Sequence, residues 1–294
     1  MHEQIKEQQT EPPKALRRSM HRSLRGGLAA AFTAAVIGGG GAAYYHMKPP
    51  TPYSQPYAAE AYHIPARACA DALTSDTALP PAPRGNGQPV MLIPGFLGND
   101  AAMGKLAAHL KAHGYRVYGW GQGFNTGMTE AKAGALALQL KDITAKHSGH
   151  KVALIGFSLG GVYARELARD NPQMVSQVIT MGSPFAMTDK NGNLDKRIQS
   201  VAQAFNPTAE DPSDTRTPLP VPTTSLYSTN DFMVMWKGSL NSKQKTAENI
   251  PVAPGHLGMT SDRKTADIIL HRLAETPQGW QPLAPRLCTA SMAG

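Results

Sequence analysis

Cysteine is almost missing from this chain: Cys69 and Cys288 are the only two in 294 residues. Neither sits in a CxxC pair or a Cys/His cluster, which excludes a cysteine-built metal centre. Also lacking is any stripe of Lys and Arg interleaved with aromatics. The formal charge of +8 divides into +3 over residues 1–25 and +5 over everything after them. So diffuse a surplus excludes nucleic acid as a partner and leaves at most a weak attraction to anionic membrane surfaces. No internal repeat is present. Asp, Glu, Lys and Arg are wholly absent from 26–47.

What is there fits a globular fold. Hydrophobic residues make up 41% and charged residues 17%, ordinary values for one generous domain with ample length for a core. Twenty-eight Gly and 24 Pro call for many turns. The first 25 residues form a basic cytoplasmic leader ending in Lys14, Arg17, Arg18, Arg22 and Arg25. Residues 26–47 are long enough to cross a bilayer, with Tyr44 and Tyr45 at the far end as interface aromatics. A cleaved signal with a small-residue site at Gly41, Ala42 and Ala43 is the alternative, and Arg17-Arg18 matches a twin-arginine signal in part. Either way the remainder is expected to be membrane-anchored or exported, hence periplasmic; a soluble cytosolic chain is the third option. Export would permit a Cys69–Cys288 disulfide, and a cytosolic location would leave two thiols. Residues 48–87 read as a Pro/Ala-rich linker with a short helix near 66–73.

At Gln88 the pattern changes. Short apolar runs at 89–93, 115–120, 152–155, 175–181, 223–227 and 248–252 alternate with helical periods at 101–113, 129–147, 161–169 and 266–275. Strands and helices alternating at this spacing predict an α/β domain over 88–294 with a mostly parallel sheet and helices on both faces. Residues 186–222 interrupt the alternation. They are expected to be a small lid or a solvated loop, with a helical piece at 194–205.

The segment KVALIGFSLGGVYA, residues 151–164, organises the rest. An apolar strand meets Gly-x-Ser-x-Gly and passes directly into a helical pattern, the context in which Ser158 sits exposed on a strained turn at a helix N-terminus. Serine is a poor nucleophile unless a base takes its proton and a third group holds that base. Only His256 and His271 follow Ser158 among the histidines. His256 lies on a glycine-flanked loop after a strand, whereas His271 lies in the closing helix, where packing accounts for it. Of the acids between Ser158 and His256, Asp231 alone follows a strand by a few residues; most of the others are expected in helix, lid or turn positions facing water, and Glu248 opens the last strand. The backbone N–H of Leu159 and of Phe96 are the candidate oxyanion donors. Leu97, Phe124, Phe185 and Trp236 are the apolar residues expected to meet an acyl chain.

The ordered set PGFLG, GWGQGFNTG, GFSLGG, ITMGSPF, YSTNDFMVMW and PGHLG resembles the α/β-hydrolase superfamily, especially its bacterial lipases and esterases, over about 89–282. The resemblance implies an α/β-hydrolase fold, a Ser158, His256 and Asp231 triad, and oxyanion amides at Phe96 and Leu159. It implies hydrolysis of lipid or other hydrophobic acyl esters through an acyl-enzyme, with no cofactor and no metal. Many members have His-Gly where this chain has Pro94-Gly95, so no His side chain serves that turn. Thioester hydrolysis or acyl transfer in the envelope keeps the same triad. A non-catalytic, membrane-tethered binding protein on the same fold is the remaining alternative.

Overall fold

The computed structural model describes Tyr62 and residues 64–186, 217–276 and 279–292. The expected leader at 1–25, the membrane or signal segment at 26–47, the spacer up to 61 and the stretch 187–216, with its expected helix, lie outside the described residues. Among the described residues no helix is long and apolar enough to cross a membrane.

Six strands form one parallel sheet: β1 (Pro89–Ile93), β2 (Arg116–Tyr118), β3 (Val152–Phe157), β4 (Val175–Met181), β5 (Thr223–Tyr227) and β6 (Ala247–Pro251). Their spatial order is β2-β1-β3-β4-β5-β6, and every pairing is parallel. Residues of β1, β3, β5 and β6 are buried throughout, as expected for strands covered on both faces. With β2 on one side of β1 and β3 to β6 following on the other, the order in which successive strands are added reverses between β1 and β3. The crevice at their carboxyl ends is where such sheets bind ligands.

The period of two in β1 separates the two core layers. Val90 and Leu92 pack with Leu106 and Leu110 of helix α2 (Gly104–Ala112) and with Ile268 and Ile269 further along the chain. Met91 and Ile93 face the other way, onto Leu136 and Leu140 of α3 (Glu130–Lys146) and Ala164 and Leu167 of α4 (Leu159–Asp170). Each fully buried Leu or Ile contributes about 1.5–3 kcal/mol. Thr129 caps α3 by accepting from Lys132 N, and Asp262 caps α5 (Arg263–Leu273) by accepting from Thr265 N.

Several boundaries differ from the sequence expectation. The helix expected over 101–113 opens as a 3-10 turn, Asp100–Met103, because Asn99 draws in the N–H groups of Ala101 and Ala102. Strand β2 stops at Tyr118 rather than 120, since the Trp120 N–H turns to Asp100 Oδ1 at 2.9 Å. Helix α4 starts at Leu159, directly on the serine, not at Gly161. The short helix expected near 66–73 is present as α1 (Arg67–Thr74), but the stretch is not a spacer off the core: Leu73 is buried, and Leu79 and Ala82 pack on the core. A closing helix, α6 (Ala284–Met292), was not expected. Cys69 of α1 and Cys288 of α6 are joined in a disulfide that links positions 219 apart. Finally, Leu219 and Val221, expected in a lid or loop, are buried in the second core layer.

Candidate active site

Ser158 is the residue between β3 and α4, with φ +51° and ψ −125°. This left-handed conformation is costly for a residue with a Cβ and persists only where its surroundings impose it. The surroundings are a strand end tied by Ser158 N–H to Met181 O at 2.8 Å and a helix packed hard on the first strand. A Cβ on Gly160 would overlap the carbonyl oxygens of Ile93 and Pro94, so only glycine permits that approach. The N–H of Leu159, at the first helical position, lies outside the intrahelical ladder and adds to the positive end of the helix dipole.

His256 and Asp231 come from the ends of β6 and β5. The imidazole Nε2 lies 3.0 Å from Ser158 Oγ. Its Nδ1 lies 2.6 Å from Asp231 Oδ2. The second oxygen, Asp231 Oδ1, accepts from Met233 N at 2.9 Å and Val234 N at 2.8 Å. These three bonds fix the carboxylate, which in turn fixes the ring with Nδ1 as donor and Nε2 open to the serine. Phe157 packs its ring against the imidazole with centroids 4.8 Å apart. Gly182 completes the arrangement at φ +53°, where a Cβ would lie 2.9 Å from Asp231 Oδ2 and 3.1 Å from His256 Nδ1.

Phe96 lies on the 94–98 turn after β1. A Cβ on Gly95 would be 3.0 Å from Ser158 Cβ, so the turn lies directly against the serine. Leu97 holds φ +58°. The turn is anchored by Asn125, which is 0% exposed. Its Nδ2 donates to Pro94 O at 2.9 Å, its carbonyl accepts from Leu97 N at 2.7 Å, and its N–H donates to Gly98 O at 2.7 Å. Nothing in the spacing of the glycine-rich loop marked Asn125. A lone Asn among glycines in a loop facing another loop is the only signal that could have done so.

The apolar residues are distributed differently from the expectation. Leu97 is half-buried, and Phe124 is exposed on the loop before Asn125. Trp236 is half-buried and stacks on Tyr227 with centroids 5.5 Å apart; burial pushes the Tyr227 phenol up to about 12, so it stays neutral. Phe185 is a correction. It is 1% exposed with the Arg165 guanidinium 4.0 Å over its ring, a core position without an exposed face. Phe232 and Met233, next to Asp231, and Leu257, next to His256, are exposed and were missed, though their neighbours in sequence marked them. Glu248, the acid at the start of the last expected strand, is buried in β6. His271 packs as expected, its Nε2 2.9 Å from Pro80 O.

With this geometry in view, residues 88–218 match the family described as alpha/beta hydrolase fold. Similar solved structures include a bromoperoxidase from Bacillus anthracis, at 14% identity over 65% of this chain and 94% of that one, with a TM-score of 0.50. The lipase BlEst2 of Bacillus licheniformis is similar at 16% identity over 61% and 89%, TM-score 0.45. Carboxylesterase CesB of Bacillus subtilis is similar at 14% over 66% and 86%, TM-score 0.42. No curated protein matches the chain. This chain has the alpha/beta hydrolase fold, with esterases and lipases among its structural neighbours. At such identities the likeness extends to the fold and not to the reaction.

Proposed function

We propose that this chain is a serine carboxylic-ester hydrolase of the lipase/esterase kind, acting on hydrophobic acyl esters through an acyl-enzyme. The supporting observation is the continuous relay from Asp231 Oδ2 through His256 to Ser158 Oγ, at 2.6 and 3.0 Å, ending on an oxygen at a helix N-terminus. Ser158 Oγ attacks the ester carbonyl carbon while its proton passes to His256 Nε2. The carbonyl π electrons move to oxygen, where the N–H groups of Leu159 and Phe96 stabilise the charge, each worth about 3 kcal/mol in the transition state. Collapse expels the alcohol, which takes the proton from His256. Water then attacks the acyl-enzyme with His256 as base, releasing the acid and restoring Ser158.

Asp231 keeps the imidazole in the tautomer that can accept from serine and stabilises the imidazolium that forms. The exposed side chains of Phe124, Phe232, Met233 and Leu257, on the loops that carry or adjoin the site, favour an apolar acyl chain. The Cys69–Cys288 disulfide is the feature that supports an oxidising, extracytoplasmic location.

The test is hydrolysis of p-nitrophenyl esters of graded acyl length, and of acyl-CoA, by the full chain and by Ser158→Ala. Turnover of the esters, rising from acetyl to longer acyl groups and abolished in Ser158→Ala, is the expected result. Preference for acyl-CoA would reassign the site to thioester chemistry. A folded chain inert toward both classes would favour a binding protein on this fold.

A further inference from the structure

The turn that carries Phe96 is held by one residue outside the catalytic relay. Asn125 reaches it at three points: the Pro94 carbonyl through its side-chain amide, and the Leu97 N–H and Gly98 carbonyl through its main chain. These contacts bracket the peptide between Gly95 and Phe96. The Pro94 carbonyl belongs to the peptide plane before it and the Leu97 N–H to the plane after it. The bracketed peptide itself is oriented by Gly98 N–H donating to Gly95 O at 2.9 Å. Peptide N–H and C=O groups are antiparallel across a trans bond. With the Gly95 carbonyl turned into the loop, the Phe96 N–H is turned out of it.

That arrangement needs external support, because Leu97 sits at φ +58°, where a branched side chain is disfavoured. Asn125 is completely buried, and its Oδ1 is occupied by Gly127 N at 3.2 Å, which aims Nδ2 at Pro94. On the other side, Gly160 lets α4 press against the same Pro94 carbonyl. The carbonyl is thus held between the helix that begins beside Ser158 and the amide of Asn125.

We propose that Asn125 is a positioning residue for the oxyanion site: its side-chain amide sets the turn so that the Phe96 N–H meets the developing oxyanion. This deepens the ester-hydrolase function proposed above and rests on it. Asn125 touches neither substrate nor Ser158, so its loss weakens transition-state binding and spares ground-state binding.

The experiment uses the full chain as wild type, Asn125→Ala and Asn125→Asp. The Asp variant keeps the acceptor for Gly127 N–H and removes the donor to Pro94 O. Three readouts are taken on a p-nitrophenyl ester: kcat and KM, inhibition by an alkyl trifluoromethyl ketone, and active sites counted by completed fluorophosphonate labelling. The expected result is kcat lower by about 10²-fold in both variants with KM within about twofold of wild type, matching loss of an oxyanion donor. Affinity for the ketone, whose adduct carries the oxyanion, falls in parallel with kcat/KM, while labelling still reaches one site per chain.

A folded variant that keeps wild-type kcat and ketone affinity overturns the role of Asn125 and leaves the hydrolase function standing. So does an activity loss that equals the loss of labelled sites, which would mark Asn125 as a folding residue only. If Ala unfolds the turn, the Asp variant decides between these outcomes. A folded wild type that neither labels nor hydrolyses overturns the hydrolase function and the positioning role together.

Discussion

Two buried acid–base pairs stand at neighbouring strands of this sheet and have opposite consequences. Asp231 and His256, at the ends of β5 and β6, form one. Glu248 of β6 and Arg272 of α5 form the other. All four residues are buried. In the second pair both carboxylate oxygens are taken: Oε1 by Arg272, and Oε2 by the N–H groups of Leu283 at 2.9 Å and Ala284 at 3.4 Å. Arg272 also reaches Glu275 at 2.9 Å and the Gln281 carbonyl at 3.1 Å. The closing helix α6 is fastened there, and the disulfide to α1 fastens it again. In the first pair the carboxylate is just as fully used, but the base carries a second nitrogen directed at a serine that is partly open to solvent. Burial of an acid–base pair therefore says nothing about chemistry by itself. The difference lies in whether one partner keeps a second polar atom facing a further side chain, as His256 Nε2 does toward Ser158 Oγ at 3.0 Å.

The largest effect that separates the two pairs is on turnover. Asp231→Asn should lower kcat by about 10⁴-fold, because the imidazole loses the acceptor that sets its tautomer, with a melting temperature close to wild type. Steady-state kinetics beside a thermal melt checks both halves. Glu248→Ala should do the reverse: about 3–5 kcal/mol less stable by denaturant unfolding, since Arg272 stays buried without its carboxylate, with unchanged kcat per folded molecule. Reducing the disulfide should cost about 2–4 kcal/mol in the same assay, through the added freedom of the unfolded chain. The smallest effect is expected for Gly182→Ala, where a methyl at φ +53° crowds Asp231 and His256. It should lose about 1–3 kcal/mol of stability and some turnover as well, the one substitution of the three to reduce both.

Much of the fold was legible because its strands are short apolar runs covered on both faces, which sequence alone reveals. The convergence of Ser158, Asp231 and His256 was legible for a similar reason: each follows a strand, and parallel strands deliver their ends to one edge. What escaped notice depended on contacts distant in sequence. The Pro-rich stretch from 64 to 87 reads as a spacer until α6 and Tyr115 are seen beside it. Glu248 reads only as a strand residue until Arg272 and the amides of 283 and 284 are seen around it. Phe185 reads as a pocket aromatic, yet Arg165 lies over its ring. Asn125 makes its decisive bonds to main-chain atoms some thirty residues away, and backbone partners leave no trace in side-chain patterns.

The central claim is that Ser158 is a nucleophile activated by His256. Intact and peptide mass after reaction of the full chain with an alkyl fluorophosphonate tests it most directly. The expected outcome is one adduct per chain, on Ser158, absent in Ser158→Ala and formed far more slowly in His256→Ala. A folded wild-type chain with no adduct, or with its adduct on another residue, would contradict the account.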